Sequence, residues 1–118
     1  MREEEGADRV ASALKGRSLI SAVNWAEVLS RLVQSGGDPV EAASRALPYG
    51  DAGLLDLVVF DDDQARETAR LRRATQSLGL SLADRAALAL ARLRGLPVLT
   101  TDRAWRSLRL PIKIEVIR

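Results

Sequence analysis

Short apolar segments alternate along this chain with longer segments of helical periodicity, and this alternation most constrains the fold. The four segments with the composition of strands are Ser18–Ser21, Leu55–Phe60, Pro97–Thr100 and Ile112–Ile117. The second is apolar enough to be covered on both faces, and the last alternates strictly, which is typical of an edge strand with one wet face. Strands separated by helices predict a three-layer α/β/α domain with a mainly parallel central sheet.

Segments with apolar residues at helical spacing fill the intervals between these strands. They are Glu3–Lys15, Val23–Ser35, a helix opened by Asp38 and Pro39, Asp63–Ser77, Ser81–Arg94 and Ala104–Leu108. Asp61 or Asp62 is the expected cap of the fourth helix, and Pro48–Asp51 is an expected turn. Because Ser81–Arg94 is apolar nearly all round, we expect this helix to lie inside the domain.

The residue types that the chain lacks limit its chemistry. It contains no cysteine and no histidine, which excludes disulfide scaffolds, zinc–thiolate sites and catalysis by Ser-His-Asp or Cys-His groups. No segment approaches the roughly 18–20 apolar residues of a membrane helix, and the first residues lack the apolar core of a secretion signal. We therefore expect one cytoplasmic domain over residues 1–118 that works with carboxylates, hydroxyls and cations.

Three acidic residues stand where the ligand crevice of a parallel α/β sheet is expected, beyond the carboxyl ends of the strands. Glu27 lies on the helix after the first strand, Asp102 directly follows the third strand, and Asp84 lies in the first turn of the apolar helix. Three carboxylates without histidine or cysteine suit a hard divalent cation such as Mg²⁺ or Mn²⁺. Such an ion activates water against a phosphodiester.

Each acid also has a purely structural interpretation. Ser81–Asp84 and Asn24–Glu27 both have the spacing of a capping box, in which the acid accepts a hydrogen bond from a backbone N–H group. Asp102 is a natural N-cap for the short helix that follows it. Taken singly, each acid fits capping at least as well as metal binding.

Three sequence blocks carry a resemblance to a known family. They are SAVNWAEVLSRL around Glu27, LSLADRAALALARLRGLPVLTTDRAW around Asp84 and Asp102, and the closing IEVI. With these blocks, and with GADRV near its start, the chain resembles the PIN-domain ribonucleases, and closely the VapC-type toxins of toxin–antitoxin pairs. The resemblance covers essentially the whole chain and is more specific around Asp84 and Asp102 than around Glu27.

The resemblance implies that Glu27, Asp84 and Asp102 belong to the acidic cluster that holds Mg²⁺ or Mn²⁺ in this family. It further implies that the hydroxyls of Thr100 and Thr101 support the last of these acids.

Four other residues fall near the same crevice. Ser21 and Asn24 are candidates for a supporting role. Arg85 and Arg103 each follow a site acid and are candidates for contact with substrate phosphate, although a surface salt bridge explains them equally well. A stripe of arginines between residues 66 and 73 is interpreted as a solvated face.

The family also has a first strand, central in its sheet and ending in an aspartate that binds metal, and this chain begins after that strand. Asp8 and Glu3–Glu5 belong to the following helix and do not replace the ligand. Three origins are open: a start placed too far downstream, a degenerate gene, or a strand supplied by another chain.

The resemblance implies a metal-dependent endoribonuclease that is the toxin of a type II toxin–antitoxin module, with RNA as substrate, an antitoxin as partner and a homodimer as assembly. The alternative is a catalytically impaired, truncated PIN domain that acts as an antitoxin-binding or interaction module. The apolar faces of Glu3–Lys15 and Val23–Ser35 are candidates for docking a partner or for ordinary core.

Overall fold

The computed structural model describes residues 18–41 and 55–117. These residues belong to two compact units, one within residues 14–60 and the other containing residues 61–118. The predicted helix Glu3–Lys15 and the turn Pro48–Asp51 lie outside the described residues, as does the helix opened by Asp38 except for residues 39–41, which are helical. Parallel strands alternate with helices along the described residues, so the predicted α/β class is confirmed.

The first unit contains strand β1 (Ser18–Ser21), helix α1 (Ala22–Gln34) and strand β2 (Leu55–Val58). Strands β1 and β2 are parallel, with Ser21 opposite Val58. The strand passes directly into the helix because Ser21 is the N-cap, and its buried hydroxyl oxygen accepts a hydrogen bond from the Val23 N–H at 3.2 Å. The carboxyl end of β1 is therefore joined directly to the first turn of α1, and the Ser21 cap fixes the angle between them.

Two apolar segments of this unit are exposed. The apolar face of α1, which the sequence left open between a docking surface and ordinary core, contains no buried residue, and Val28, Leu32 and Val33 are each at least 40% exposed. Strand β2 was expected to be covered on both faces, yet Leu57 is 53% and Val59 is 76% exposed. Residues two apart in an extended chain point to the same side, so one side of this segment faces solvent.

The second unit begins with helix α2 (Asp62–Ala74), a short 3₁₀ turn and helix α3 (Leu82–Arg94). Strand β3 (Val98–Thr100), a 3₁₀ segment (Arg103–Ser107) and strand β4 (Ile114–Val116) follow. Asp61 is the N-cap of α2, because its Oδ1 accepts from the Gln64 N–H at 2.9 Å. Strands β3 and β4 are parallel, with Val98 opposite Ile114.

The core of the second unit confirms that α3 lies inside. Leu88 and Ala89 are fully buried, and the core cluster also contains Leu71, Ala91, Val98 and Trp105. Several of the buried residues of α3 are alanines. Because their side chains are small, a neighbouring helix can approach α3 closely, and α3 can be buried with few large side chains. Helix α3 ends at Gly95, whose positive φ of 63° is the left-handed conformation that glycine adopts without strain.

The contact between α2 and α3 contains a buried carboxylate. Glu67 is 3% exposed, and its Oε1 accepts a hydrogen bond from Arg70 Nη1 at 2.8 Å. Its Oε2 faces Arg92 Nη1 at 3.3 Å, an ion-pair contact between the two helices. A buried carboxylate needs such partners, because an unpaired charge away from water is costly.

The described strands form two separate two-stranded parallel sheets, where the sequence predicted one central sheet. Within residues 18–41 and 55–117, each strand hydrogen-bonds along only one of its edges. The strand pattern in the sequence identified the strands and their parallel direction, but it does not specify which strands are neighbours.

We expect Leu88→Ala to lower the free energy of unfolding by about 2–4 kcal/mol, because it leaves a cavity beside Trp105 and Val98 in the core. Leu93→Ala, on the same helix but 46% exposed, is the matched control and is expected to cost less than about 1 kcal/mol. Urea denaturation followed by circular dichroism measures both. Equal losses for the two variants would contradict the packing described for α3.

Candidate functional site

Asp84 is a helix cap in this structure. Its Oδ2 accepts a hydrogen bond from the Ser81 N–H at 3.1 Å, and the Ser81 hydroxyl oxygen accepts from the Asp84 N–H at 3.1 Å. The capping box expected from the sequence is therefore formed in both directions. Because a carboxylate has two oxygens with about four acceptor positions, this bond leaves Asp84 able to bind a cation as well.

Asp102 is also a cap, at the start of the 3₁₀ segment. Its Oδ1 accepts from the Ala104 N–H at 2.9 Å, and its own N–H donates to Thr100 Oγ1 at 3.0 Å. The Thr100 hydroxyl thus contacts the backbone of Asp102, and its support of the carboxylate stays a prediction. Strand β3 and the 3₁₀ segment hold the exposed Asp102 between them.

Asp84 lies at the start of α3, and Asp102 follows the carboxyl end of β3, the next strand along the chain. In a helix–strand unit of an α/β fold these two ends lie at the same edge, so we expect both acids there.

Glu27 lies in the first unit, in the second turn of α1. The N-cap of this helix is Ser21, so the capping interpretation of Asn24–Glu27 is wrong. Glu27 Oε2 lies 3.9 Å from Arg31 Nη2, and the Glu27 side chain is 53% exposed. It borders an open depression on one side of α1 together with Val23, Ala26, Ser30, Arg31 and Gln34. Of the three acids, Glu27 has no capping role.

The predicted supporting residues have distinct positions. Ser21 is buried and caps α1. Asn24 is half-buried in α1, and Thr101 is half-buried after β3. Thr100 accepts a hydrogen bond from the backbone N–H of the candidate site acid Asp102.

The two arginines proposed for phosphate contact differ. Arg85 is half-buried, and its Nη1 donates to the Thr68 carbonyl oxygen on α2 at 3.0 Å. This bond ties the first turn of α3 to α2 and gives Arg85 a structural role. Arg103 is exposed and forms no ion pair within residues 18–41 and 55–117. Arg103 is therefore the better placed of the two to meet an external phosphate.

The arginine stripe of α2 is largely explained by local pairing. Arg66 Nε lies 2.9 Å from Asp62 Oδ2, and Arg70 binds Glu67. By contrast, Arg106 and Arg109, which were not among the predicted site residues, are exposed. Arg103, Arg106 and Arg109 recur every three residues, and this repeat is the sequence signal that identifies them.

The candidate acids are of a type that suits a hard divalent cation. Asp84 and Asp102 in the second unit, and Glu27 in the first, each offer carboxylate oxygens, the ligands that Mg²⁺ and Mn²⁺ prefer, and each has an oxygen outside its capping bond or ion pair. In the described part of the chain, no three acidic side chains lie close enough together to hold a metal ion among themselves. Water or phosphate oxygens complete the coordination of Mg²⁺ in many proteins.

Comparisons with known proteins agree with this fold. The family model of the PIN domain matches residues 1–110, so the chain belongs to the PIN domain family. The structure is similar to a chain of the "Toxin-antitoxin complex from Klebsiella pneumoniae", with a TM-score of 0.65 and 23% sequence identity over 97% of this chain and 88% of that chain. At this identity the similarity shows a shared fold. No curated protein matches the chain.

None of the helices in the described residues is long and apolar enough to cross a membrane.

The cap at Asp84 predicts different stabilities for two variants. Asp84→Asn keeps an oxygen that accepts from the Ser81 N–H and loses only the charge at the helix N-terminus, at about 0.3–0.5 kcal/mol. Asp84→Ala also loses the acceptor and is expected to cost about 1 kcal/mol. Thermal or urea unfolding of both variants measures the difference. If the two variants are equally stable, the capping bond contributes nothing.

Proposed function

We propose that this protein is a metal-dependent endoribonuclease and the toxin of a type II toxin–antitoxin module. Membership of the PIN family carries this proposal, because PIN domains are generally nucleases and generally use divalent metal ions. The similarity to a chain from a toxin–antitoxin complex supports the toxin role and an antitoxin partner.

Glu27, Asp84 and Asp102 are the proposed metal-binding and catalytic carboxylates, and their oxygens would hold Mg²⁺ or Mn²⁺. When bound, such an ion lowers the pKa of a coordinated water and neutralises charge on the phosphate oxygens during hydrolysis. The protein's own contribution is to fix these carboxylates on rigid elements. Asp102 is fixed by its bonds to Thr100 and Ala104, and Asp84 by its bond to Ser81.

The remaining residues have supporting roles in this proposal. The Thr100 and Thr101 hydroxyls and the side chains of Ser21 and Asn24 support the acids. Arg103 contacts substrate phosphate, and Arg85 does so only if its guanidinium uses donors other than the one bound to Thr68.

The proposed assembly is a homodimer with an antitoxin in the cytoplasm, where RNA substrate is present. Helix α1 offers a surface for the antitoxin, since Val28, Leu32 and Val33 remain at least 40% exposed. Val28 and Leu32 are four residues apart on one face of α1, and an amphipathic partner helix covers apolar residues that share a helix face in this way. The same exposed residues favour the second candidate function, an antitoxin-binding module without catalysis.

Cleavage of single-stranded RNA by the full chain with Mn²⁺ or Mg²⁺ tests the nuclease proposal. We expect cleavage that EDTA abolishes and that Glu27→Gln, Asp84→Asn and Asp102→Asn each reduce by about a hundredfold or more, because a ligand to the ion contributes several kcal/mol to transition-state stabilisation. Asp63→Asn, the same charge change at an exposed acid of α2, is the matched control and is expected to retain activity.

The outcomes separate the two candidate functions. Loss of activity in the three site variants and retention in Asp63→Asn supports the nuclease. An inactive but folded wild-type chain that binds antitoxin, with Asp102→Asn binding equally well, favours the interaction module.

Metal binding has a readout that does not depend on cleavage. Because a ligand that binds only the folded state stabilises it, Mn²⁺ is expected to raise the melting temperature of the wild type. At a concentration of about 100 times the dissociation constant, the stabilisation is about 2.7 kcal/mol. We expect Asp102→Asn to lose most of this shift and Asp63→Asn to keep it. A shift of the same size in both variants would place the ion elsewhere.

A further inference from the structure

The segment that follows Asp102 has an unusual charge distribution. Between Asp102 and Glu115 there is no acidic residue, whereas Arg103, Arg106, Arg109 and Lys113 are all basic. Lys113 is paired, with its Nζ 3.4 Å from Glu115 Oε1. Arg103, Arg106 and Arg109 therefore follow the candidate site acid Asp102 within seven residues, and no other acidic residue lies among them.

The other arginines within residues 61–117 have interactions with the protein itself. Arg66, Arg70 and Arg92 form ion pairs with carboxylates, and Arg85 binds the Thr68 carbonyl. A further group lies in the last turns of α2 and α3, where cations complement the helix dipole: Arg72, Arg73 and Arg94. Arg103, Arg106 and Arg109 are exposed and have no ion pair among the described residues. The 3₁₀ segment Arg103–Ser107 has only five residues, so its helix dipole is too small to account for these three arginines.

The local geometry aligns two of these side chains. The 3₁₀ helix has three residues per turn, so Arg103 and Arg106 project from the same side of the segment Arg103–Ser107. With a rise of about 2 Å per residue, their backbones are about 6 Å apart along the axis. This spacing is similar to that of successive phosphates in a single strand of RNA.

The apolar residues between the arginines fix the segment to the core. Trp105 is 5% exposed and belongs to the core cluster, and Leu108 and Leu110 pack against that cluster. Since these residues point inward, Arg106 and Arg109 are left on the solvent side. The basic residues are thus presented by a backbone that the core holds in place.

We propose that Arg103, Arg106 and Arg109, which we call the basic segment, bind the phosphate backbone of single-stranded RNA beside Asp102. The identity of the ligand rests on the proposed nuclease function. A carboxylate site repels a polyanion, so a strand that passes it needs nearby cations. Arginine suits this role because its planar guanidinium binds phosphate with two hydrogen bonds.

Binding of a labelled single-stranded RNA oligonucleotide by the full chain in EDTA tests this proposal without any cleavage. The test variant is Arg103→Gln/Arg106→Gln/Arg109→Gln. The control is Arg72→Gln/Arg73→Gln/Arg94→Gln, which removes the same charge from three exposed arginines elsewhere on the unit. Fluorescence anisotropy is measured between about 50 and 200 mM salt, the range over which phosphate contacts weaken most visibly, and circular dichroism confirms that both variants are folded.

Three phosphate contacts to a single strand contribute a slope of about −2 to log K against log salt. Over this fourfold range, wild-type binding is expected to weaken roughly 15–20-fold more than binding by the test variant. The control is expected to keep most of the wild-type slope and affinity. Polyglutamate of equal charge is expected to compete poorly.

Equal losses in the two triple variants would overturn the proposal, because net charge and not the basic segment would then control binding. Absence of RNA binding by the wild type would overturn it as well. Polyglutamate that competes as well as RNA would assign the segment to an acidic protein partner instead. If RNA binds through the segment but Mn²⁺ gives no cleavage, the nuclease proposal fails while the binding surface stands.

Discussion

Burial of the Glu67 carboxylate between α2 and α3 is the constraint on which the second unit depends. A carboxylate that is 3% exposed must keep its cations, and Arg70 and Arg92 supply them from the two helices. Hydrophobic packing around Leu71 and Leu88 brings the helices together, but apolar contacts tolerate sliding. The ion pair between Glu67 and Arg92 joins specific residues of the two helices and therefore favours one alignment of α3 against α2.

The start of α3 matters because it carries Asp84. Arg85 ties this first turn to the Thr68 carbonyl, and the capping box with Ser81 fixes the carboxylate. At Asp102 a cap and the Thr100 hydroxyl have the same effect. Capping and metal binding thus need not compete as explanations of these acids. A cap holds one oxygen of the carboxylate, and a carboxylate held in one orientation loses less entropy when its other oxygen binds an ion.

Local signals in the sequence predicted most helices and strands. Contacts between residues far apart in the sequence could not be predicted from such signals. Strand β1 has its predicted bounds, and α3 begins one residue after the predicted Ser81, which is its cap. Helix α2 was expected to reach Ser77 but ends at Ala74, where Thr75 donates its hydroxyl to the Leu71 carbonyl before a 3₁₀ turn. The pairing of Arg92 with Glu67 spans 25 residues, and no periodicity indicates it.

The candidate site shows the same contrast between local sequence signals and contacts that only the fold determines. Asp102 was predicted from its place after a strand and Asp84 from its place in the first turn of a helix, and both of these signals are local. Which arginines remain available to a substrate depends instead on which already have a partner, and only the fold decides that. Arg85 and Arg103 look equivalent in sequence, each one residue after a site acid, yet the first binds a backbone carbonyl and the second faces solvent. An arginine without a partner inside the protein can bind a phosphate group without first breaking an internal contact.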